Sequence, residues 1–310
     1  MLDLYFMSPP SPAWALRGRQ NFRSRVAAPV DAARARQEWL ALALAIEARG
    51  GTVIALPPED ALTGMPYAAE CGHLVARDGK APLFLLPNMA SAHRRPERER
   101  WAKLAEALGL VPVSLARGTW EAQGDIACFE GVTLLFYGGR SDREGMDEAA
   151  AHLPGELLRI AIREPAFHGN MAALPLERAG KMLVCPEVIL GDGLARLAAR
   201  FGAERLIHVT TAEIRAYATN GLPLGDAILT PSVVPDRIAD LLTSLGYEVV
   251  RFSMQELCEK AGGASRCLVS RARLPEGAIT IPPENTLAAI AAPILAERDG
   301  GAACAPREER

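Results

Sequence analysis

Apolar runs of a few residues, each preceded by a stretch with apolar positions at helical spacing, recur along the chain. Residues 31–49 carry Trp39, Leu40, Leu42, Leu44 and Ile46 among charged positions and stop at Gly50-Gly51, which predicts a helix closed by glycine. Residues 52–56 follow as a buried strand ended by Pro57-Pro58. The same order returns at 97–108 and 111–115, at 194–201 and 205–209, and at 236–245 and 247–252. Further strand-like runs lie at 83–86, 133–137, 181–184 and 227–230. The chain therefore reads as α/β throughout, in modules of about forty to sixty residues repeated about five times without a residue-level repeat. Such periodicity fits a ring of modules and an open α/β sheet equally.

Beyond residue 273 the pattern changes. Pro275, Pro282 and Pro283 read as a linker, and 286–298 as an Ala-rich helix interrupted at Pro293. The last dozen residues are expected to be mobile. This divides the chain into a domain over 1–273 and an extension over 274–310.

Composition narrows the function classes. With 310 residues, 49% hydrophobic and 23% charged, the chain can bury a large core, which excludes disordered and fibrous classes. A net charge of −3 gives no broad basic field, and the arginines of 94–100 form only a local cluster, so nucleic acid is not an expected partner. No apolar run reaches the ~18 residues of a membrane span, and Asp3, Pro9 and Pro10 stand where a signal peptide would be basic and then apolar. A cytoplasmic protein is the expectation. The six cysteines lack Cys-x-x-Cys spacing and read as free thiols.

One thiol stands out. Cys267 follows Gly262-Gly263, where the backbone can be approached closely, and His168, in Phe167-His168-Gly169-Asn170, can supply the proton traffic a thiol nucleophile needs. The adjacent Arg266 is expected to favour the thiolate.

These two motifs fall into a longer series: Tyr67-Ala68-Ala69-Glu70-Cys71-Gly72, Pro96-Glu97-Arg98, Trp120-Glu121-Ala122-Gln123-Gly124-Asp125, Gly139-Arg140-Ser141, Phe167-His168, and Gly262-Gly263 to Cys267. The series resembles the pentein superfamily of guanidino-group-modifying enzymes, among them dimethylarginine dimethylaminohydrolase, arginine deiminase, arginine dihydrolase and the amidinotransferases. The resemblance covers roughly residues 1–273, and implies a five-bladed αβ propeller with its site on the central axis.

The resemblance also implies roles. Cys267 is the nucleophile that forms a thiouronium-type adduct, and His168 shuttles protons to the leaving group and from water. Glu121 clamps the guanidinium or partners the histidine, with Asp125 beside it. Glu70 stands where relatives carry Asp or Asn as a guanidinium ligand, one methylene longer. Arg98 and Arg140 align with arginines that bind the substrate carboxylate. Asn170 departs from the usual His-x-Asp, since an amide can hydrogen-bond a guanidinium but cannot neutralise it. The implied activity is hydrolysis of a C–N bond of arginine, a methylated arginine or a related guanidino compound. The alternatives are transfer of the amidino group to an amine, or a non-catalytic binding module. With no zinc-type spacing and no nucleotide motif, no cofactor is expected. A homodimer stays open.

Overall fold

The structure, a computed structural model, describes residues 1–302. Strand β1 (Leu2–Met7), helix α1 (Ala32–Glu47) and strand β2 (Thr52–Ala55) open the chain. The order strand, strand, helix, strand then follows four times. Its first two rounds are β3 (His73–Val75), β4 (Leu83–Leu86), α2 (Glu97–Ala107), β5 (Val111–Ser114), and β6 (Ile126–Phe129), β7 (Val132–Tyr137), α3 (Arg143–Ala150), β8 (Glu156–Ala161). After a single turn, α4 (Gly169–Ala172), come β9 (Ala173–Leu176), β10 (Lys181–Val184), α5 (Gly193–Phe201) and β11 (Leu206–His208). After α6 (Thr211–Arg215) come β12 (Leu222–Leu224), β13 (Ala227–Pro231), α7 (Asp236–Ser244) and β14 (Glu248–Phe252). The remaining elements are β15 (Ser270–Leu274) and α8 (Leu287–Ala302).

Five three-stranded sheets result, which decides between the ring and the open sheet. In each, the middle strand pairs antiparallel with the first strand of its module and parallel with the third, which the helix crossover requires. The fifth sheet joins the two ends of the chain: β15 runs antiparallel to β1, from Leu2 opposite Leu274 to Phe6 opposite Ser270, and β1 runs parallel to β2. The protein is a five-bladed αβ propeller closed by its termini.

Blades stick together through both faces. On β1, Leu4 and Phe6 enter a cluster with Phe84 and Trp101 of the next blade, whereas Tyr5 and Met7 enter the main core with Trp39. The period of two in a strand produces that division. On α1, Trp39, Leu42, Ala43 and Ile46 form the buried stripe, and Asp31 caps the start by accepting from the Arg34 amide.

The extension packs onto this frame. Helix α8 runs across Pro293 instead of stopping there, and buries Leu287, Ile290 and Ile294. Arg36 holds Glu297 through two 3.0 Å hydrogen bonds, and Gln37 donates to the Ile294 carbonyl. Residues 303–310, with Cys304 and most of the expected mobile tail, lie outside the described residues. Among the described residues no helix is long and apolar enough to cross a membrane.

Candidate active site

Each blade contributes one polar residue from the loop just before its first, innermost strand. Glu70 precedes β3, Glu121 precedes β6, His168 precedes β9, Asn220 precedes β12 and Cys267 precedes β15. A fivefold repeat thus points five equivalent loops at one axis, which brings residues far apart in sequence together in one buried cluster.

Cys267 is 1% exposed. Its amide donates to Asn220 Oδ1 at 3.3 Å, and its Sγ lies 3.6 Å from Asn170 Nδ2. Burial pushes the thiol up to about 11 and the Glu70 carboxylate adds to this, while Asn220 and the Arg266 charge oppose the shift without reversing it. The balance therefore favours the protonated thiol in the free protein, against the thiolate expected beside Arg266. Arg266 turns away, donating to the Val269 carbonyl and to Gln123 Oε1.

The glycine pair has a different use from open approach. Gly262 has φ +97, and a Cβ there would lie 2.3 Å from Asn21 Oδ1; a Cβ on Gly263 would lie 2.3 Å from the Tyr67 ring. Glycine lets the β1–α1 loop and Tyr67 close on the nucleophile.

His168 is completely buried. Its Nε2 is 2.8 Å from Glu121 Oε2, and its Nδ1 is 3.3 Å from Glu70 Oε1 but not aligned for a hydrogen bond. Burial alone would lower its proton affinity, yet Glu70, Asp125 and Glu121 outweigh it and raise the pKa above the usual histidine value. Burial would raise Glu121, but the His168 hydrogen bond and the charges of Arg140 and Arg94 hold it below the ordinary carboxylate range. Both shifts favour an imidazolium paired with a carboxylate.

Asp125 stands behind the histidine. Its Oδ1 accepts from the Gly169 amide at 2.8 Å and fixes the turn after His168, while its Oδ2 accepts from Ser141 Oγ at 2.6 Å in the loop before α3. Burial pushes its carboxyl up to about 6 despite the nearby imidazolium. It does not line the cavity where a substrate would sit.

Of the two expected arginines only Arg140 reaches the cavity. Its Nη1 lies 3.7 Å from Glu121 Oε2 and its guanidinium 4.9 Å above the Phe167 ring. Arg98 is half-buried on α2 and away from the cavity. One position earlier Glu97 turns inward, and the roughly 100° step of a helix carries Arg98 off that face. A further arginine at the site is Arg94, missed in the sequence among its basic neighbours. It is buried, donates to Glu97 through Nε and Nη2 and to the Gly64 carbonyl, and pairs with Glu70.

The cavity is narrow, with about 70 Å³ open to water, and Cys267, Glu70, Arg94 and Arg140 share it. The loop between β1 and α1 covers its mouth with Trp14, Arg17 and Asn21. Trp14 Nε1 donates to the Thr63 carbonyl and Asn21 Nδ2 to the Ala261 carbonyl, which ties this cover to two blades. Glu70, Glu121 and His168 offer ligand atoms within 4.8 Å of one another. Arg94 already occupies one oxygen of Glu70 and His168 carries its proton toward Glu121, so the trio is an ion-pair network rather than an open metal site.

A five-bladed αβ propeller with cysteine, histidine and carboxylates at its axis is the class that fold and site define. No family model matches the chain. Over 263 residues it is 27% identical to N(G),N(G)-dimethylarginine dimethylaminohydrolase of Mycobacterium tuberculosis, covering 85% of this chain and 83% of that protein. The N-terminal domain of ArgZ, an arginine dihydrolase from the ornithine-ammonia cycle in cyanobacteria, superposes with a TM-score of 0.80 at 21% identity, covering 89% of this chain and 99% of that one. A dimethylarginine dimethylaminohydrolase in an adduct with S-methyl-L-thiocitrulline superposes with a TM-score of 0.65 at 18% identity, covering 88% and 100%. The chain is thus similar to these enzymes over most of its length and shares their fold.

Proposed function

We propose that this protein is a cysteine-dependent hydrolase that cleaves a C–N bond of arginine, a methylated arginine or a related guanidino compound. The observation that carries the reading is a buried thiol and the Glu70 carboxylate sharing one small cavity, with buried His168 3.3 Å from Glu70 and 2.8 Å from Glu121. The named relatives, which act on arginine and dimethylarginine, support the same chemistry.

The charges suggest an order of events. A guanidinium entering beside Glu70 offsets the negative charge that helps keep Cys267 protonated, so the thiol ionises when the substrate arrives and releases its proton to solvent. The thiolate attacks the guanidinium carbon, and the C–N bond to the departing amine breaks as His168 donates the Nδ1 proton that lacks an aligned acceptor. His168, now neutral, takes a proton from water. The resulting hydroxide adds to the thiouronium carbon, collapse expels the Cys267 thiolate, and the hydroxyl proton passes to the sulfur, which restores the thiol and releases a neutral ureido product.

Three outcomes test this. Cys267 should react slowly with neutral iodoacetamide at neutral pH and much faster with 2-chloroacetamidine, whose cation supplies the missing charge; peptide mass spectrometry reads both rates. Equal rates would remove substrate-assisted ionisation. His168→Ala should lower turnover at least ~100-fold, measured as ureido product from a panel of guanidino compounds. Because the histidine must start protonated and its pKa is raised, wild-type activity should hold at neutral pH and fall as pH rises through that value. An alkaline limb that stays unchanged in His168→Ala would reassign it.

A further inference from the structure

The far end of the propeller axis carries a larger basin than the active site, about 610 Å³ against about 70 Å³ on the same measure. Four blades line it, through Tyr5 of β1, Cys128 of β6, Pro175 of β9, and Pro223 of β12, with Arg271 of β15 beside Tyr5 on the closing blade. Four arginines and two carboxylates stand around it: Arg49, Arg178, Arg271 and Arg273 against Asp3 and Glu177.

Two of these arginines are satisfied. Arg273 pairs with Asp3 at 2.7 Å, and Arg49 pairs with Glu248 at 3.0 Å. Among the described residues Arg178 and Arg271 have no carboxylate within ion-pair distance. Arg178 stacks over Tyr247 and donates to the Gly246 carbonyl, and Arg271 donates to the Pro223 carbonyl at 3.3 Å. Behind Arg271 lies a third cation without a carboxylate, Arg266, only 8% exposed. Gln123 links the two, accepting from Arg266 Nη2 and the Arg271 amide at 3.0 Å each and donating to the Arg271 carbonyl. Burial and then the Arg271 charge bring Arg266 down to about 9. A buried cation facing a second cation is costly unless something negative joins them.

We propose that this basin is a second ligand site, for a small multivalent oxyanion such as a phosphate or a polycarboxylate, held by Arg178 and Arg271 against the Tyr5 and Tyr247 walls. The neutral carbonyl partners leave both guanidinium groups with charge and donors to offer, and oxyanions match that geometry. Glu177 is the one carboxylate of the rim not paired with an arginine; it accepts from the Glu130 amide.

Cys128 gives the site its own reporter, since it is exposed and lies in the basin wall, whereas Cys71, Cys185, Cys258 and Cys267 are buried. The full-length protein is treated with N-ethylmaleimide in inorganic phosphate, in citrate, or in sodium chloride of equal ionic strength, and the Cys128 peptide is followed by mass spectrometry. Phosphate, citrate or both should slow its labelling saturably, about tenfold at ten times the dissociation constant. Which anion protects tells a phosphate from a polycarboxylate ligand. Arg178→Gln, on an exposed turn, and Arg271→Gln should each raise the concentration needed about tenfold. Protection no greater than sodium chloride gives, or protection unchanged in both variants, would overturn the site.

Discussion

Cys267→Ser is expected to lower turnover on the order of 10⁴-fold or more while leaving the fold intact. Burial already raises the thiol to about 11, and a hydroxyl in the same enclosed position would hold its proton far more tightly. A guanidinium that can ionise a thiol by offsetting Glu70 cannot ionise serine at neutral pH. Stability should hardly move, because the sulfur makes only the long contact to Asn170 and the loop is held by backbone bonds, from the Cys267 amide to the Ala264 carbonyl and from the Ala69 amide to the Cys267 carbonyl. The variant should bind substrate without forming an adduct, seen as an unshifted intact mass. Turnover above about one per cent of wild type in a purified, folded variant would remove covalent catalysis.

The parts of the fold that were readable in the sequence are those with a one-sided apolar pattern. Helices α1, α2, α5 and α7 each bury one stripe, and the pattern reveals them; the strands after them are legible as short apolar runs, although β5 and β14 bury no residue fully. The first strands of the blades were not readable. Strands β3 and β12 are three residues long, too short to display a period, and the second is Leu-Pro-Leu. Helix α3 was missed because Met146 is the one large apolar residue among Arg143–Ala150.

The site divides in the same way. Cys267, His168, Glu121 and Glu70 could be named because they fall in the ordered series of motifs that resembles the pentein enzymes, and the structure brings them together. Arg94 could not be told from Arg95, Arg98 and Arg100 by type; burial alone separates it. The usable signal was Glu97, three positions on at a helix start, within reach of Arg94 but not facing Arg98. Asn220 had a signal of another kind. With site loops at 70, 121, 168 and 267, one blade between the last two lacked its polar residue, and Asn220 stands in that gap.

Arg94 is where structure and function meet, and Arg94→Met is expected to cost about 3–5 kcal/mol of stability. The guanidinium lies between Glu70 and Glu97, all three buried, and the substitution would keep the volume while leaving two carboxylates facing each other without a cation. Glu97 is already raised by burial, with Arg94 pulling it down and Glu70 pushing it up, so losing Arg94 raises it further. A carboxyl whose folded pKa lies above its unfolded value favours the fold below the unfolded value and loses that contribution as pH rises. The gap between variant and wild type should therefore be small near pH 4 and widen toward pH 7, in chemical denaturation across that range. Adding Glu97→Gln to Arg94→Met should recover part of the loss at pH 7, because one of the unpaired charges is gone. Activity should fall as well, since Glu70 would be free to take the His168 Nδ1 proton needed by the leaving amine. A loss below about 1 kcal/mol, or one that does not change with pH, would mean that solvent reaches the carboxylates and that Arg94 does not hold the site together.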